Sequence, residues 1–246
     1  MKAPSLKNTA LIKLKDSHKT HQSGFTLIEL LTVIAIIAIL AAILIPAIGS
    51  VRMNAQKAKT TSDLRQVFAA MTLYSTENQG TLPGPAFSGI SAGFRANNRS
   101  LPRYLAPYLT ATPDPDDTTI SIVEELLPST YKDLAGTYSS RGTVYITNKY
   151  YTSSDNPDEP FAEPFGYPPS GSDPARQPKK LLQIPDPARN VAFYGLDKQN
   201  VDGSPGWVDS LAVSPFFDQD RPFLYWDGHI VMKEDNSPEA GIEDRM

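Results

Sequence analysis

Glu29 is the residue whose type and position point most directly to chemistry. It lies inside an apolar run from Phe25 to Ile45, FTLIELLTVIAIIAILAAILI, which is bounded by Gly24 and Pro46. About 20 apolar residues, each adding roughly 1.5 Å to a helix, span the roughly 30 Å hydrocarbon core of a bilayer. A carboxylate in hydrocarbon costs at least about 2.5 kcal/mol, so an acid at this position is expected to have a function.

The chemistry open to this acid is charge pairing. A carboxylate and an ammonium group that both lie in a low-dielectric core remove each other's desolvation penalty. The two groups can come from different chains, so the pairing can drive assembly in register. The alternative is that Glu29 reaches water from the edge of the membrane.

The charge distribution along the chain is strongly uneven. Residues 1–24 carry five lysines and one aspartate, which give this segment a net charge of +4. The whole chain has a formal net charge of −4, so the remaining residues carry −8. Basic residues on the amino side of a span keep that side in the cytoplasm and send the acidic part outward. An acidic exported domain argues against nucleic-acid binding, because it has no basic patch to neutralise phosphates.

Few residues are available for catalysis or for a soft metal site. The chain has no cysteine, which excludes thiolate zinc sites and disulfides, and His229 is the one histidine outside residues 1–24. The motif H-E-x-x-H and a phosphate-binding glycine loop are absent from the sequence, and G-x-S-x-G occurs once, at residues 89–93. We therefore expect no enzyme activity.

The start of the apolar run also carries a resemblance. The octapeptide from Gly24 to Leu31, GFTLIELL, resembles the processing site of type IV prepilins and type II secretion pseudopilins. A positive leader ends in Gly24, an acid follows Phe25 by four residues, and Pro46 follows Phe25 by twenty-one. An uncleaved membrane anchor is the alternative. A secretory signal peptide fits worse, because its apolar region has about 7–15 residues.

The resemblance, which covers about Gly24 to Gly80, implies a specific processing and assembly route. A prepilin peptidase/methyltransferase would cut between Gly24 and Phe25 and methylate the new amine, and Glu29 would pair with the amine of a neighbouring subunit. The other implied partners are identical or related pilin-like subunits and an inner-membrane assembly platform. The chain would first cross the bacterial inner membrane once, with its amino terminus in the cytoplasm. Its globular domain would be periplasmic, or extracellular in the filament.

We predict an α+β, pilin-like fold, in which a long amino-terminal helix packs on a small antiparallel sheet with long loops. The segments are a leader (1–24), a transmembrane or filament-core helix (25–45), its amphipathic continuation (46–80), a globular domain (81–233) and an acidic tail (234–246). Pro46 predicts a helix kink, since it lacks the N–H for one helical bond. An apolar stripe at helical spacing predicts core contacts: Leu64, Val67, Phe68, Met71 and Tyr74.

The later half contains shorter signals. We predict a helix over 118–127, strands over 143–147 and 190–195, and a loop over 153–180. The final signal is a hairpin of residues 222–226 and 229–233 around a two-residue type I′ turn, Asp227-Gly228. This end is also similar to a bacterial group of pilin-like proteins with a terminal H-x9-DG motif, although Phe217 stands where that histidine would be.

Calcium is the one metal for which the sequence offers candidates. An EF-hand-like spacing runs through Asn200, Asp202 and Asp209, but Lys198 occupies its first position and would repel the ion. Major pseudopilins carry a calcium site near the carboxyl end, so the resemblance keeps four weak candidate ligands: Asp197, Asp202, Asp218 and Asp220. We expect a solvated acidic loop and no cofactor, with calcium as the alternative.

Together these features predict a structural subunit of a type II secretion pseudopilus or of a type IV pilus-like filament. The alternative is a monomeric binding module for a polysaccharide or a protein, with the helix used only as a membrane tether. A filament subunit needs Glu29 and a cleaved leader, whereas a tether needs neither.

Overall fold

The computed structural model describes residues 25–95, 99–109, 111, 114, 116, 119–128, 142–147, 150–151, 161–201 and 211–234. The first element is the helix α1, Leu27–Glu77, in agreement with the long amino-terminal helix expected from the sequence. The chain divides into two compact units, of which the first ends at Ile48 and the second begins at Gly49. The two units are described in turn.

The first unit consists, in its described part, of the amino-terminal half of α1. Its large apolar side chains are exposed, from 45% at Val33 to 81% at Leu27. By length and composition this helix could cross a membrane. Pro46 lies within the helical segment, and the kink expected there stays a prediction.

The second unit contains the remainder of α1 and the core. Leu64, Val67 and Met71 are at most 1% exposed, and Phe68 and Tyr74 are partly buried against the same core, which confirms the predicted stripe. The helix ends as Gly80, at φ +81°, donates its N–H to the Ser75 carbonyl at 2.8 Å. A glycine in this left-handed conformation is a common helix terminator.

A five-stranded antiparallel sheet packs against this helix, which confirms the α+β class. Its strand order is β1-β4-β7-β8-β9, with β1 at Gly89–Ser91, β4 at Thr143–Thr147, β7 at Val191–Gly195, β8 at Arg221–Tyr225 and β9 at Ile230–Lys233. The strands predicted over 143–147 and 190–195 are therefore present. Two-stranded ladders join β2 (Gly93–Phe94) to β3 (Ser121–Ile122) and β5 (Tyr150–Tyr151) to β6 (Phe161–Ala162). A short helix, α2 (Leu101–Leu105), lies between β2 and β3.

Side chains on the two faces of the sheet enter different clusters. Tyr145, Phe193 and Leu224 belong to the main core with the α1 stripe. Phe223 and Tyr225, which flank Leu224, belong to a smaller cluster with Val191. Because successive residues of a strand point to opposite faces, β8 contributes to both clusters.

Two predictions for the connecting segments need revision. The helix predicted over 118–127 is wrong where the chain is described: Ser121–Ile122 is a strand and Glu124–Leu126 is a single 3-10 turn. The Val123 N–H donates to the Ala92 carbonyl at 2.9 Å, beside the ladder with β2. In a helix the same N–H would donate to the carbonyl four residues earlier, so it cannot serve both structures. Within the predicted loop, β6 and an irregular hairpin around Tyr167 and Arg176 are present, and 153–160 lie outside the described residues.

The terminal hairpin is confirmed, but its turn type is wrong. The loop has three residues, Trp226–Gly228, because Tyr225 and His229 still pair through the Tyr225 N–H and the His229 carbonyl at 3.0 Å. A type I′ turn requires positive φ at both central residues, and here only Gly228 has it, at +89°. Asp227 Oδ1 accepts the His229 N–H at 3.0 Å, which stabilises the turn at negative φ.

Candidate functional site

The candidate site is the first turn of α1, where Thr26 and Glu29 form a capping box. The Thr26 backbone N–H donates to Glu29 Oε2 at 2.8 Å, and the Thr26 hydroxyl donates to the same oxygen at 2.6 Å. The Glu29 N–H donates to Thr26 Oγ1 at 3.3 Å. Two backbone donors that the helix cannot satisfy by itself are thus satisfied reciprocally.

Only one of the two carboxylate oxygens of Glu29 takes part in this capping box. Both donors from Thr26 reach Oε2, and Oε1 accepts no hydrogen bond from the described residues. The side chain is exposed, and its i+4 neighbour on the helix surface, Val33, is an exposed apolar residue. An acid in this setting has one oxygen available to a cation supplied by another molecule.

Phe25 lies just outside the helix, and its side chain is 74% exposed. Its backbone nitrogen belongs to the predicted scissile bond, and Gly24 on the other side of that bond lies outside the described residues. The bond therefore directly precedes the capped turn that contains Glu29. Cleavage would create an amine one residue before Thr26.

Thr26 is the residue of the candidate site that sequence reasoning missed. The signal was present as the pattern Thr26-Leu27-Ile28-Glu29, a threonine followed three residues later by glutamate before an apolar run. The capping geometry shows that the acid also has a partner in its own chain.

The four calcium candidates do not form a common cluster in the described part of the chain. Asp197 is fully buried and accepts two hydrogen bonds from Arg221, at 2.6 Å to Oδ2 and 3.1 Å to Oδ1. Asp220 is paired with Lys57, Asp218 is exposed, and Asp202 lies outside the described residues. The described residues contain no group of three or more acidic or histidine side chains arranged to hold a metal. Calcium binding stays a prediction.

The hairpin turn brings an aspartate and a histidine together. Asp227 Oδ1 lies 2.5 Å from His229 Nδ1, and the His229 ring stacks on Tyr225 with ring centroids 4.1 Å apart. Partial burial raises the pKa of Asp227, but the hydrogen bonds from the His229 amide and ring prevail, so its pKa is below the usual value. These contacts organise the turn, and the pair remains partly exposed.

Comparison with known proteins identifies the amino-terminal signature. The model for the prokaryotic N-terminal methylation motif matches residues 19–45, which include the predicted cleavage point, Thr26 and Glu29. Searches of curated proteins and of solved structures returned no significant match.

The chain thus carries the prepilin-type signature on a helix that packs against a small antiparallel sheet. This combination supports a membrane-anchored, type IV pilin-like or pseudopilin precursor. The second resemblance, to the H-x9-DG group, has no such support. Phe217, at the position of the missing histidine, is 1% exposed and belongs to the core.

Proposed function

We propose that this chain is a structural subunit of a type II secretion pseudopilus or a type IV pilus-like filament. A prepilin peptidase hydrolyses the bond between Gly24 and Phe25, so that water yields a new carboxylate on the leader and a new amine on Phe25. The same enzyme then transfers a methyl group to that amine from a methyl-donor cosubstrate, and the amine loses one proton as the N–C bond forms. The observation that carries the proposal is the match of the methylation motif to the segment that holds the capped Glu29.

Assembly follows from the electrostatics of the first turn. Once the leader is removed, each subunit presents one ammonium at Phe25 and one carboxylate at Glu29, both next to apolar side chains. Thr26 occupies Oε2 of Glu29, and Oε1 accepts the ammonium of a neighbouring subunit. Charges that enter an apolar environment together avoid the several kcal/mol that each would cost alone.

The remaining partners and the location follow from the same proposal. The subunit waits in the bacterial inner membrane with its amino terminus in the cytoplasm and its second unit in the periplasm. An inner-membrane assembly platform extracts it into the filament, where it contacts identical or related subunits. It contributes structure and no enzymatic step.

The proposal is tested by variants that separate capping from charge. Glu29→Gln keeps an acceptor for the Thr26 donors, since glutamine also completes a capping box, but it removes the charge. Thr26→Ala removes the cap, at a cost of about 1 kcal/mol, and keeps the charge. We expect Glu29→Gln and Glu29→Ala to be inserted and cleaved but absent from filaments, and Thr26→Ala to assemble.

The measurement is the amount of the chain in sheared filaments relative to the cleaved chain in the membrane. Normal filaments from both Glu29 variants would contradict the proposal and favour a membrane-tethered binding module. If only the Thr26→Ala variant failed to form filaments, assembly would require the helix cap and not the charge of Glu29.

A further inference from the structure

The second unit has a cleft beside the first turns of its helix, with a volume of about 730 Å³. Met53 of α1 and Phe217 of the turn before β8 supply apolar lining. The charged residues of the lining are Lys57, Asp218, Asp220 and Glu234, which together carry a net charge of −2. The cleft is thus a part-apolar surface with an excess of carboxylates.

Two of these carboxylates have no partner within the described structure. Lys57 pairs with Asp220, and both side chains of that pair are about one quarter exposed, at 27% and 28%. Asp218 and Glu234 make no ion pair or side-chain hydrogen bond with the described residues. The cleft therefore has capacity for one more cation, which must come from outside its own lining.

The chain's own carboxyl terminus has the wrong charge for this role. Residues 235–246 contain four carboxylate side chains and one arginine, and they directly follow Glu234. Like charges repel, so a segment with this net negative charge is disfavoured as an occupant of the cleft.

A suitable cation lies on the outward side of the same helix. Arg65 is exposed and makes no ion pair or hydrogen bond with the described residues. It is the one charged residue on a line of exposed positions spaced three or four apart, a spacing that places residues on one helix face. The other residues on this line are Val51, Ala55, Ala58, Ser62, Ala69 and Leu73.

We infer that Arg65 of one copy of this chain enters the cleft of a second copy and binds Asp218 and Glu234. This inference rests on the proposed function, which supplies the second copy. A guanidinium forms charge-assisted hydrogen bonds with carboxylates in a fixed geometry, which a lysine does not reproduce. Its stem can pack along the partly exposed Met53.

The geometry fits an assembly that extends in one direction. Arg65 follows the cleft residues Lys57 and Met53 by eight and twelve residues, about 12 Å and about 18 Å along the helix at roughly 1.5 Å per residue. Parallel copies shifted along the helix axis by a distance in this range would bring Arg65 level with the neighbouring cleft. The arginine face and the cleft are different surfaces of the chain. A copy whose cleft binds one neighbour can therefore bind a second neighbour through its own Arg65, and the contact can repeat along a filament.

Cross-linking is the direct test, because the chain contains no cysteine. We would introduce Arg65→Cys and Asp218→Cys together in the full-length chain and treat isolated filaments with a short bifunctional maleimide. A maleimide is preferred because two cysteines that replace a long arginine–aspartate pair lie beyond the reach of a disulfide. We expect a ladder of dimers and higher oligomers that neither single variant gives.

The matched control pairs Arg52→Cys with Asp218→Cys. Arg52 is also exposed and without a partner in the described structure, but it lies on another side of the helix from the Arg65 line. An equal ladder from this pair would overturn the inference. Filaments without any ladder from the Arg65 pair would also overturn it, while leaving the proposed function intact.

A charge swap provides the second readout. Arg65→Glu adds a fourth carboxylate to the contact, so we expect loss of filaments with cleavage unchanged. Adding Asp218→Arg to that variant should restore them, and failure to restore would contradict the contact. If the wild-type chain forms no filaments at all, both the proposed function and this contact are wrong.

Discussion

Gly228 at the tip of the terminal hairpin lies directly against the ring of Phe68 on α1. A Cβ atom placed on Gly228 would lie 2.7 Å from both Cδ1 and Cε1 of that ring. The same glycine has φ +89°, a conformation that is costly for other residues. The tip of the terminal hairpin therefore contacts the helix at a point where backbone geometry and packing both require glycine.

The first prediction concerns this contact. Gly228→Ala should destabilise the second unit by about 1–2 kcal/mol through its backbone conformation, and by about 1–3 kcal/mol more through overpacking. The matched control is Gly80→Ala, at φ +81° with no atom within 4 Å of the added methyl group, which should show the backbone effect alone. Urea unfolding of residues 49–246 measures both changes. Equal losses of stability would show that Phe68 yields to the methyl group.

The second prediction concerns the buried ion pair between Asp197 and Arg221. These side chains are 0% and 2% exposed, and Arg221 donates to both carboxylate oxygens. Arg221→Ala would leave a buried charge without its partner, so we expect a loss of about 3–5 kcal/mol in the free energy of unfolding. A loss below about 1 kcal/mol would contradict the role of this pair.

A double variant separates the attraction between Asp197 and Arg221 from the free-energy cost of burying their two charges. Replacing both residues with apolar side chains, Asp197→Leu with Arg221→Met, should cost much less than the two single changes added together. Part of the loss should remain, because Asp197 Oδ1 also accepts the Gln199 N–H at 2.7 Å. Simple additivity in urea unfolding would show that the two side chains act independently.

The third prediction concerns calcium. Asp197 and Asp220 are already engaged by Arg221 and Lys57, so we expect the melting temperature of the second unit to be unchanged by EDTA. Calcium at about 100 times its dissociation constant would instead stabilise the protein by about 2.7 kcal/mol. Magnesium serves as the control ion. A rise in melting temperature with calcium alone would reverse our preference for a metal-free loop.

Features that depend on neighbouring residues could be predicted from the sequence. The apolar run predicts α1 by its length and composition, and the helical spacing of the stripe through Leu64, Val67 and Met71 predicts the buried face. Strand β4 was predictable from composition, since all five residues of Thr143–Thr147 are β-branched or aromatic.

Features that depend on residues far apart in the sequence could not be predicted. The hairpin turn packs against Phe68, 160 positions before Gly228, and the segment around Val123 is held extended by β2. The pairing of Asp197 with Arg221 joins two positions that sequence spacing does not relate, so the sequence alone leaves Asp197 as a candidate metal ligand. Thr26 was different, because its capping pattern is local and readable.

The mature amino terminus is the measurement that tests the central claim most directly. The chain would be purified from the membrane and filament fractions of its own cell, and its amino-terminal peptide identified by mass spectrometry. The account predicts a peptide that begins at Phe25 and carries one added methyl group on its amine. A cell without prepilin peptidase should give the uncleaved chain as the control. An intact start at Met1 or Lys2 in the normal cell would contradict processing at Gly24-Phe25 and, with it, assembly as a pilin-like subunit.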